Sequence, residues 1–291
     1  MSGLLTAMAQ SSIARLEQAR AKESEKALWT RASDLPPPPR LKLCAEGFDI
    51  IAECKLHSPS AGDLSSHTAT VESRVRAYAN GGACAVSVLT EPTRFGGNLE
   101  HLAQAAAALE PLKVPVMRKD FLLDPYQVME ARVAGAGGVL IIVRMLERSH
   151  ITALMDCAAM LKMFVLLEAF DAGDLHAMQE VLTPRKDHTE QVLAGINCRD
   201  LDTLALHLPR LEELAHLLPD GYAHVAESGI NSLEDVKFVS GMGYRVALVG
   251  SSLMTSSDPR SRLGEMLALG REHAMAERTR KLRIAAGEAE D

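Results

Sequence analysis

Ile51-Ala-Glu53-Cys-Lys55 ends an apolar run that opens at Asp49, and four later stretches end the same way: Met117-Arg-Lys119-Asp120, Leu166-Leu-Glu168, Ile196-Asn197-Cys-Arg199 and Val225-Ala-Glu227-Ser228-Gly229. Short apolar runs separated by helix-like segments read as parallel strands buried on both faces. A charged residue at the carboxyl end of such a strand has few purely structural explanations. In a closed α/β barrel that rim is where the chemistry sits.

Outward from these stretches, a strand-helix alternation begins at Asp49 and repeats eight times. The expected strands are Asp49–Lys55, Ala83–Leu89, Val114–Lys119, Gly138–Val143, Phe164–Glu168, Val192–Asn197, His224–Glu227 and Tyr244–Val249. Helical periodicity marks Val71–Asn80, Leu99–Leu109, Pro125–Ala134, Ile151–Leu161 and Ser232–Ser240. Asn98, Asp124 before Pro125, and Ser232 with Asp235 three residues on are helix-start signals, and Gly81-Gly82, Gly135 and Gly241 are stops. The fold class is therefore α/β, a (β/α)8 TIM barrel. An open doubly wound sheet shares the alternation, but its Gly-x-Gly-x-x-Gly after the first strand is missing.

Residues 1–47 read as an N-terminal extension: a helix from about Ser12 to Arg31, a semi-rigid Pro36–Pro39 spacer, then Leu41 to Phe48. Residues 48–275 form the catalytic barrel and 276–291 a charged C-terminal tail, with no second barrel expected. Composition is that of an ordinary globular protein, 47% hydrophobic and 24% charged. Net charge is −7 with basic and acidic residues interspersed, which argues against nucleic acid as a partner. No apolar stretch approaches a membrane span and the N-terminus has no secretory pattern, so no membrane partner and a cytoplasmic location are expected. The five cysteines form no Cys-x-x-Cys pair, against both a disulfide framework and a metal site. Strand alternation turns Cys54 and Cys198 toward the helical layer, away from Glu53, Lys55, Asn197 and Arg199. A monomer is the default expectation, since no helix face stands out as a dimer patch.

The polar strand ends, in order, are Glu53 and Lys55, Ser87, Lys119, Arg144, Glu168, Asn197 and Arg199, Glu227 and Ser228, then Gly250-Ser251. Two lysines and three glutamates on one mouth are tolerable only as paired groups, and pairing also tunes acids and bases. Gly229 after strand seven and Gly250-Ser251 after strand eight occupy the loops that in such barrels cradle phosphate with backbone N–H groups. Ser58 after strand one could add a hydroxyl donor. Phe95 and Phe121 offer an apolar wall for a flat ring. Together they point to a phosphorylated sugar derivative carrying an aromatic group.

Ile51-Ala-Glu-Cys-Lys-Leu-His-Ser-Pro-Ser60, Ser87-Val-Leu-Thr-Glu91 with Phe95-Gly-Gly, Arg118-Lys-Asp-Phe121 with Asp124-Pro-Tyr-Gln127, Gly195-Ile-Asn-Cys-Arg-Asp-Leu201 and Ala226-Glu-Ser-Gly229 together resemble the indole-3-glycerol phosphate synthase family. The resemblance spans residues 48–256. It implies a lyase of tryptophan biosynthesis that closes 1-(2-carboxyphenylamino)-1-deoxyribulose 5-phosphate to indole-3-glycerol phosphate, releasing carbon dioxide and water without cofactor or metal. It further implies that Lys119 polarises and protonates the ribulose carbonyl, Glu168 is the general base, and Glu53 and Lys55 are a coupled pair that positions Lys119. Asn197 and Arg199 would orient the hydroxyl and carboxylate of the substrate, and Glu227 with Ser228 would lie near the reacting carbons. Ser58, Gly229, Gly250 and Ser251 would hold the phosphate; Phe95, Phe121 and Leu140 would wall the ring.

The chain departs from the family pattern at His57, Ala61, Cys198 and Ala169-Phe170, and Thr183 to Gln191 reads as an insertion before strand six. These departures motivate an alternative, a paralogue acting on a modified anthranilate adduct. A non-catalytic barrel that keeps the phosphate site is a third reading. It would be expected to lose its buried charges first, and here both lysines and all three glutamates persist.

Overall fold

The structure is a computed structural model describing residues 3–45, 47–55, 57, 58, 62, 63, 70–185, 190–201 and 203–285. Eight parallel strands close into a barrel: β1 Asp49–Cys54, β2 Ala85–Leu89, β3 Val116–Lys119, β4 Gly138–Ile142, β5 Phe164–Ala169, β6 Val192–Asn197, β7 Ala223–Glu227 and β8 Val246–Val249. Each strand pairs with its sequence neighbours, and β8 returns to β1 through Asp49↔Val246 to Ala52↔Val249. All eight expected strands are present, with ends within two residues of the expected ones.

Side-chain alternation explains both cores and the site. Ile51, Ala85, Met117, Leu140, Leu166, Leu193, Val225 and Val246 fill the barrel interior. Ile50, Ala52, Cys54, Val86, Val88, Val165 and Leu167 face the surrounding helices. Successive strand residues point to opposite faces, so the residue two positions beyond an interior one points inward again, at the carboxyl end. From Ile51 that residue is Glu53, from Met117 Lys119, from Leu166 Glu168, from Val225 Glu227; from Leu193, through Gly195, it is Asn197. Register then sets these ends side by side, with Asn197↔Glu227, Leu89↔Lys119 and Glu53↔Ser87 as direct partners.

The helix-start signals act as expected. Asn98 accepts from His101 N, Asp124 from Tyr126 N, and Ser232 with Asp235 makes a reciprocal capping box. At the other ends, Gly82 (φ +100°) and Gly135 (φ +91°) take the left-handed conformation, whereas Gly241 is the last residue of its helix and Gly243 (φ +98°) makes the turn.

The extension departs from the expected single helix. It forms α1, Gly3–Lys22, and α2, Glu25–Asp34, divided where the side chain of Ser24 accepts from Ala27 N and restarts the chain. The Tyr126 hydroxyl donates to the carbonyls of Ala19 and Glu23, tying down the same junction. α1 begins well before Ser12, and its Leu5 and Met8 join the interior cluster at the barrel mouth. The last helix runs without interruption from Pro259 to Ala285. No helix among the described residues is long and apolar enough to cross a membrane.

A buried ion network fixes α1 to β3. Asp120 receives a bidentate Arg15 guanidinium at 2.8 Å, Arg118 Nη2 at 3.0 Å and the Thr90 hydroxyl at 2.6 Å. Ser12 Oγ donates to Phe121 O at 2.6 Å and accepts from Gln127 Nε2 at 2.8 Å. Burial alone would raise the Asp120 carboxyl, but Arg118, Arg15 and Thr90 outweigh it and hold the group well below the usual carboxylate range. Its native form thus resists protonation that the unfolded chain accepts. The stabilisation is complete above about pH 4 and is lost as pH falls below that value. Asp120→Asn is expected to cost ~3–5 kcal/mol near neutrality, the usual penalty for breaking a buried pair. Chemical denaturation across pH should show a flatter acid limb for the variant, and an acid limb as steep as that of the wild type would contradict this.

Candidate active site

One cavity of about 210 Å³ opens at the carboxyl ends of the strands. Its lining includes Glu53, Lys55, Lys119, Glu168, Asn197, Glu227 and Ser228, together with Arg199, Phe95, Phe121, Leu140, Gly229, Gly250 and Ser251. The side chains of Ser58 and His57, and the whole of Ala61, lie outside the described residues; the backbone of Ser58 pairs with Gly62.

Lys119 stands at the centre. Its Nζ is 3.1 Å from Glu168 Oε2 and 3.5 Å from Glu227 Oε2, and Asn197 Nδ2 donates to that same Glu168 oxygen at 3.1 Å. Burial would lower the lysine, yet the carboxyl groups of Glu168, Glu227 and Glu53 prevail and raise it above its ordinary value. It is an ammonium at any working pH.

The two flanking carboxyls are driven apart. Glu227 is fully buried, and burial first, then the negative Glu168 beside it, pushes its carboxyl well above the usual range despite the opposing pull of Lys119. Glu53 forms a 2.7 Å ion pair with Lys55. Burial would raise it, but Lys55 and Lys119 lower it on balance. The mouth therefore holds two carboxyl groups shifted in opposite directions, Glu227 up and Glu53 down, on either side of a cation. Environments that separate like groups in this way mark acid and base roles.

The cavity is apolar on one side. Phe95 and Phe121 lie with ring centroids 6.4 Å apart, and Leu140 continues the wall. Ser228 and Gly229 take left-handed φ values of 68° and 75° after β7. Ser228 has a Cβ to accommodate there, so the turn stores strain of a kind found at functional sites. Gly250 precedes the single turn Ser251–Met254 after β8.

Arg199 is anchored as well as exposed to the cavity. Its N–H donates to Asn197 Oδ1 at 2.9 Å and its Nη1 to Leu204 O at 2.7 Å. Arg210 Nη1 holds the carbonyls of Asn197 and Arg199 at 3.2 and 3.4 Å. If the guanidinium binds the carboxylate of the substrate, Arg199→Ala should chiefly raise KM. Steady-state kinetics that show loss of kcat alone would count against that contact.

Two strand-end residues stand apart from the site. Ser87 is buried within the barrel and its hydroxyl has no hydrogen-bond partner among the described residues. Arg144 sits in the turn after β4, where it pairs with Asp174 at 2.7 Å and lies 4.7 Å over the Phe170 ring, outside the cavity lining. Cys54 and Cys198 face the outer core, and burial raises their thiols to about 12 and about 11, leaving them protonated. Of the expected insertion, Thr183–Arg185 forms a single turn, residues 186–189 lie outside the described residues, and Arg185 Nε pairs with Glu190 at 2.5 Å.

Several lining residues were not expected. Leu4 reaches the cavity from α1. Glu91 is buried and caps the turn that carries Phe95, accepting from Thr93 N at 2.9 Å and Arg94 N at 2.7 Å. Pro92, at the first helical position, is a helix-start signal that could have pointed to Glu91 as its cap. Asp120 also lines the cavity, while its network holds Phe121 through a 2.8 Å bond to the Phe121 N–H.

Comparison with known proteins agrees with this geometry. The family model described as indole-3-glycerol phosphate synthase matches residues 5–266. Proteins of that name from Nocardioides sp. and Leifsonia xyli subsp. xyli are each 41% identical over 236 residues, covering 80% of this chain and 86% of theirs. One from Beutenbergia cavernae is 41% identical over 230 residues, 79% of this chain and 81% of its own. Among solved structures, 3-hexulose-6-phosphate synthase from Salmonella typhimurium superposes with TM-score 0.58 at 14% identity, covering 78% of this chain and 100% of its own. Thiamine phosphate pyrophosphorylase from Pyrococcus furiosus does so with TM-score 0.55 at 15% identity, covering 78% and 97%. Those two likenesses concern the fold alone. The family match over nearly the whole chain, on a barrel whose mouth gathers these lysines and glutamates, places the chain in the indole-3-glycerol phosphate synthase family.

Proposed function

We propose that the chain closes the indole ring of 1-(2-carboxyphenylamino)-1-deoxyribulose 5-phosphate, giving indole-3-glycerol phosphate, carbon dioxide and water in tryptophan biosynthesis. The observation that carries this reading is the Lys119 ammonium held between Glu168 and Glu227 in a cavity with an aromatic wall on one side and two glycine turns on the other.

The anthranilate ring rests against Phe95, Phe121 and Leu140, and the phosphate sits at Gly229, Gly250 and Ser251. Ser58 completes the cradle, and Arg199 takes the ring carboxylate, which its planar fork can bind bidentately. Lys119 polarises the ribulose carbonyl and protonates its oxygen as the ring carbon attacks and the new carbon–carbon bond forms. The carboxylate leaves as carbon dioxide, its bonding pair returning to the ring. Glu168, oriented by Asn197, removes a proton, and loss of the hydroxyl as water completes the pyrrole. The Glu53–Lys55 pair positions Lys119 and takes part in proton transfer, and Glu227 with Ser228 lies beside the reacting carbons.

The alternative, a modified anthranilate adduct, loses part of its motivation, because Cys198, Ala169 and Phe170 do not line the cavity. Turnover of the unsubstituted adduct is expected to exceed that of ring-substituted ones. Equal or better turnover of a substituted ring would favour the alternative. A cytoplasmic location fits five free cysteines.

A further inference from the structure

Two glycines at the mouth do not take the left-handed backbone that favours glycine. Gly195 lies within β6, paired with Glu168 on β5 and Val225 on β7. Gly250 has φ −123° and ψ −73°, outside the helical and extended regions but not at the positive φ that favours glycine. A mid-strand glycine is destabilising relative to alanine, so some other demand keeps it there. At Gly195 an ideal Cβ would stand 2.3 Å from Glu227 Oε1. At Gly250 it would stand 2.5 Å from Glu53 Oε1 and 3.1 Å from Lys55 Nζ.

We propose that Gly195 and Gly250 are positioning residues whose missing side chains form the seats of the Glu227 and Glu53 carboxyl groups on either side of Lys119. This rests on the ring-closure reading above and extends it, since Gly250 otherwise serves only the phosphate. The contrast with Gly97 is informative. There an ideal Cβ would meet the backbone oxygen of Leu89 at 2.2 Å, so the glycine is required for the chain to pass. At Gly195 and Gly250 the nearest atom is the far end of a side chain. The fold can absorb a methyl group, but only by moving the carboxyl. At Gly195, Glu227 Oε1 is buried with no hydrogen-bond partner among the described residues. A carboxyl pushed off this seat has Lys119 and Glu168 as its neighbours.

The experiment is steady-state kinetics of wild type, of the single variants Gly195→Ala, Gly250→Ala, Glu227→Asp and Glu53→Asp, and of the pairs Gly195→Ala/Glu227→Asp and Gly250→Ala/Glu53→Asp. Each alanine should lower kcat about ten- to hundredfold with KM changed by less than about threefold, the pattern of a misplaced reacting group. The aspartate should lower kcat in the wild-type background and recover part of it in the alanine background. Unchanged kcat, additive losses in the paired variants, or a Gly250→Ala effect confined to KM and to competition by inorganic phosphate would overturn the proposal. Should an alanine variant not fold, a folded paired variant supports the seat and an equally unfolded pair contradicts it. Wild-type turnover is the separate control, since its absence would refute the ring-closure reading itself.

Discussion

Lys119→Ala is expected to abolish ring closure at every pH while leaving substrate binding largely intact. Lys119 Nζ is within 3.5 Å of both Glu168 and Glu227 and carries the cation that these groups share. Without it, the electrophile loses the donor assigned to it. Two acidic side chains would then face each other across the mouth, and Glu227, already shifted up by burial and by Glu168, would lose the one nearby charge that pulls it down. Raising or lowering pH cannot restore the missing donor. The ring wall and the glycine turns do not depend on the lysine for their geometry, because Phe121 is held by Asp120 and Ser12 and the turn bearing Phe95 by Glu91. Titration with a non-reacting substrate analogue should therefore give a Kd close to that of the wild type. Residual turnover that rises with pH would show another group acting as the acid.

Glu168→Gln should lower kcat by about two to four powers of ten, the scale on which loss of a proton-transfer group is felt. The substitution preserves shape and one acceptor. The amide oxygen can still take the bond from Asn197 Nδ2, so the mouth keeps its packing, and KM should change little. What is lost is the ability to accept a proton, along with the carboxylate that raises both Lys119 and Glu227. Single-turnover kinetics separates the chemical step from binding and product release. An unchanged single-turnover rate would remove Glu168 from the mechanism.

The barrel was legible because its signals are local and periodic. Parallel strands covered on both faces read as continuous apolar runs, and the period of two carries each interior position to a rim residue: Ile51 to Glu53, Met117 to Lys119, Leu166 to Glu168 and Val225 to Glu227. The same rule failed for Arg144, since the chain leaves the strand at Val143 and turns that side chain out toward Asp171 and Asp174. Contacts made far along the chain were not legible. Arg15 and Asp120 are 105 residues apart, and nothing in either neighbourhood announces the other. Leu4 escaped for a different reason, because an apolar residue on a helix covering a cavity has the same spacing as one packed on a core. The opposite shifts of Glu53 and Glu227 depend on burial and on four neighbouring charges, Lys55, Lys119, Glu168 and Arg199, so only the folded mouth defines them.

Indole fluorescence, followed after mixing purified protein with 1-(2-carboxyphenylamino)-1-deoxyribulose 5-phosphate, tests the central claim most directly when Lys119→Ala is run beside the wild type. Fluorescence rising with the wild type alone is the expected result, and it would join the ring closure to the lysine at the centre of the mouth. A wild-type protein that binds the substrate in competition with phosphate yet yields no indole, or a Lys119→Ala variant that yields it as fast, would contradict the account.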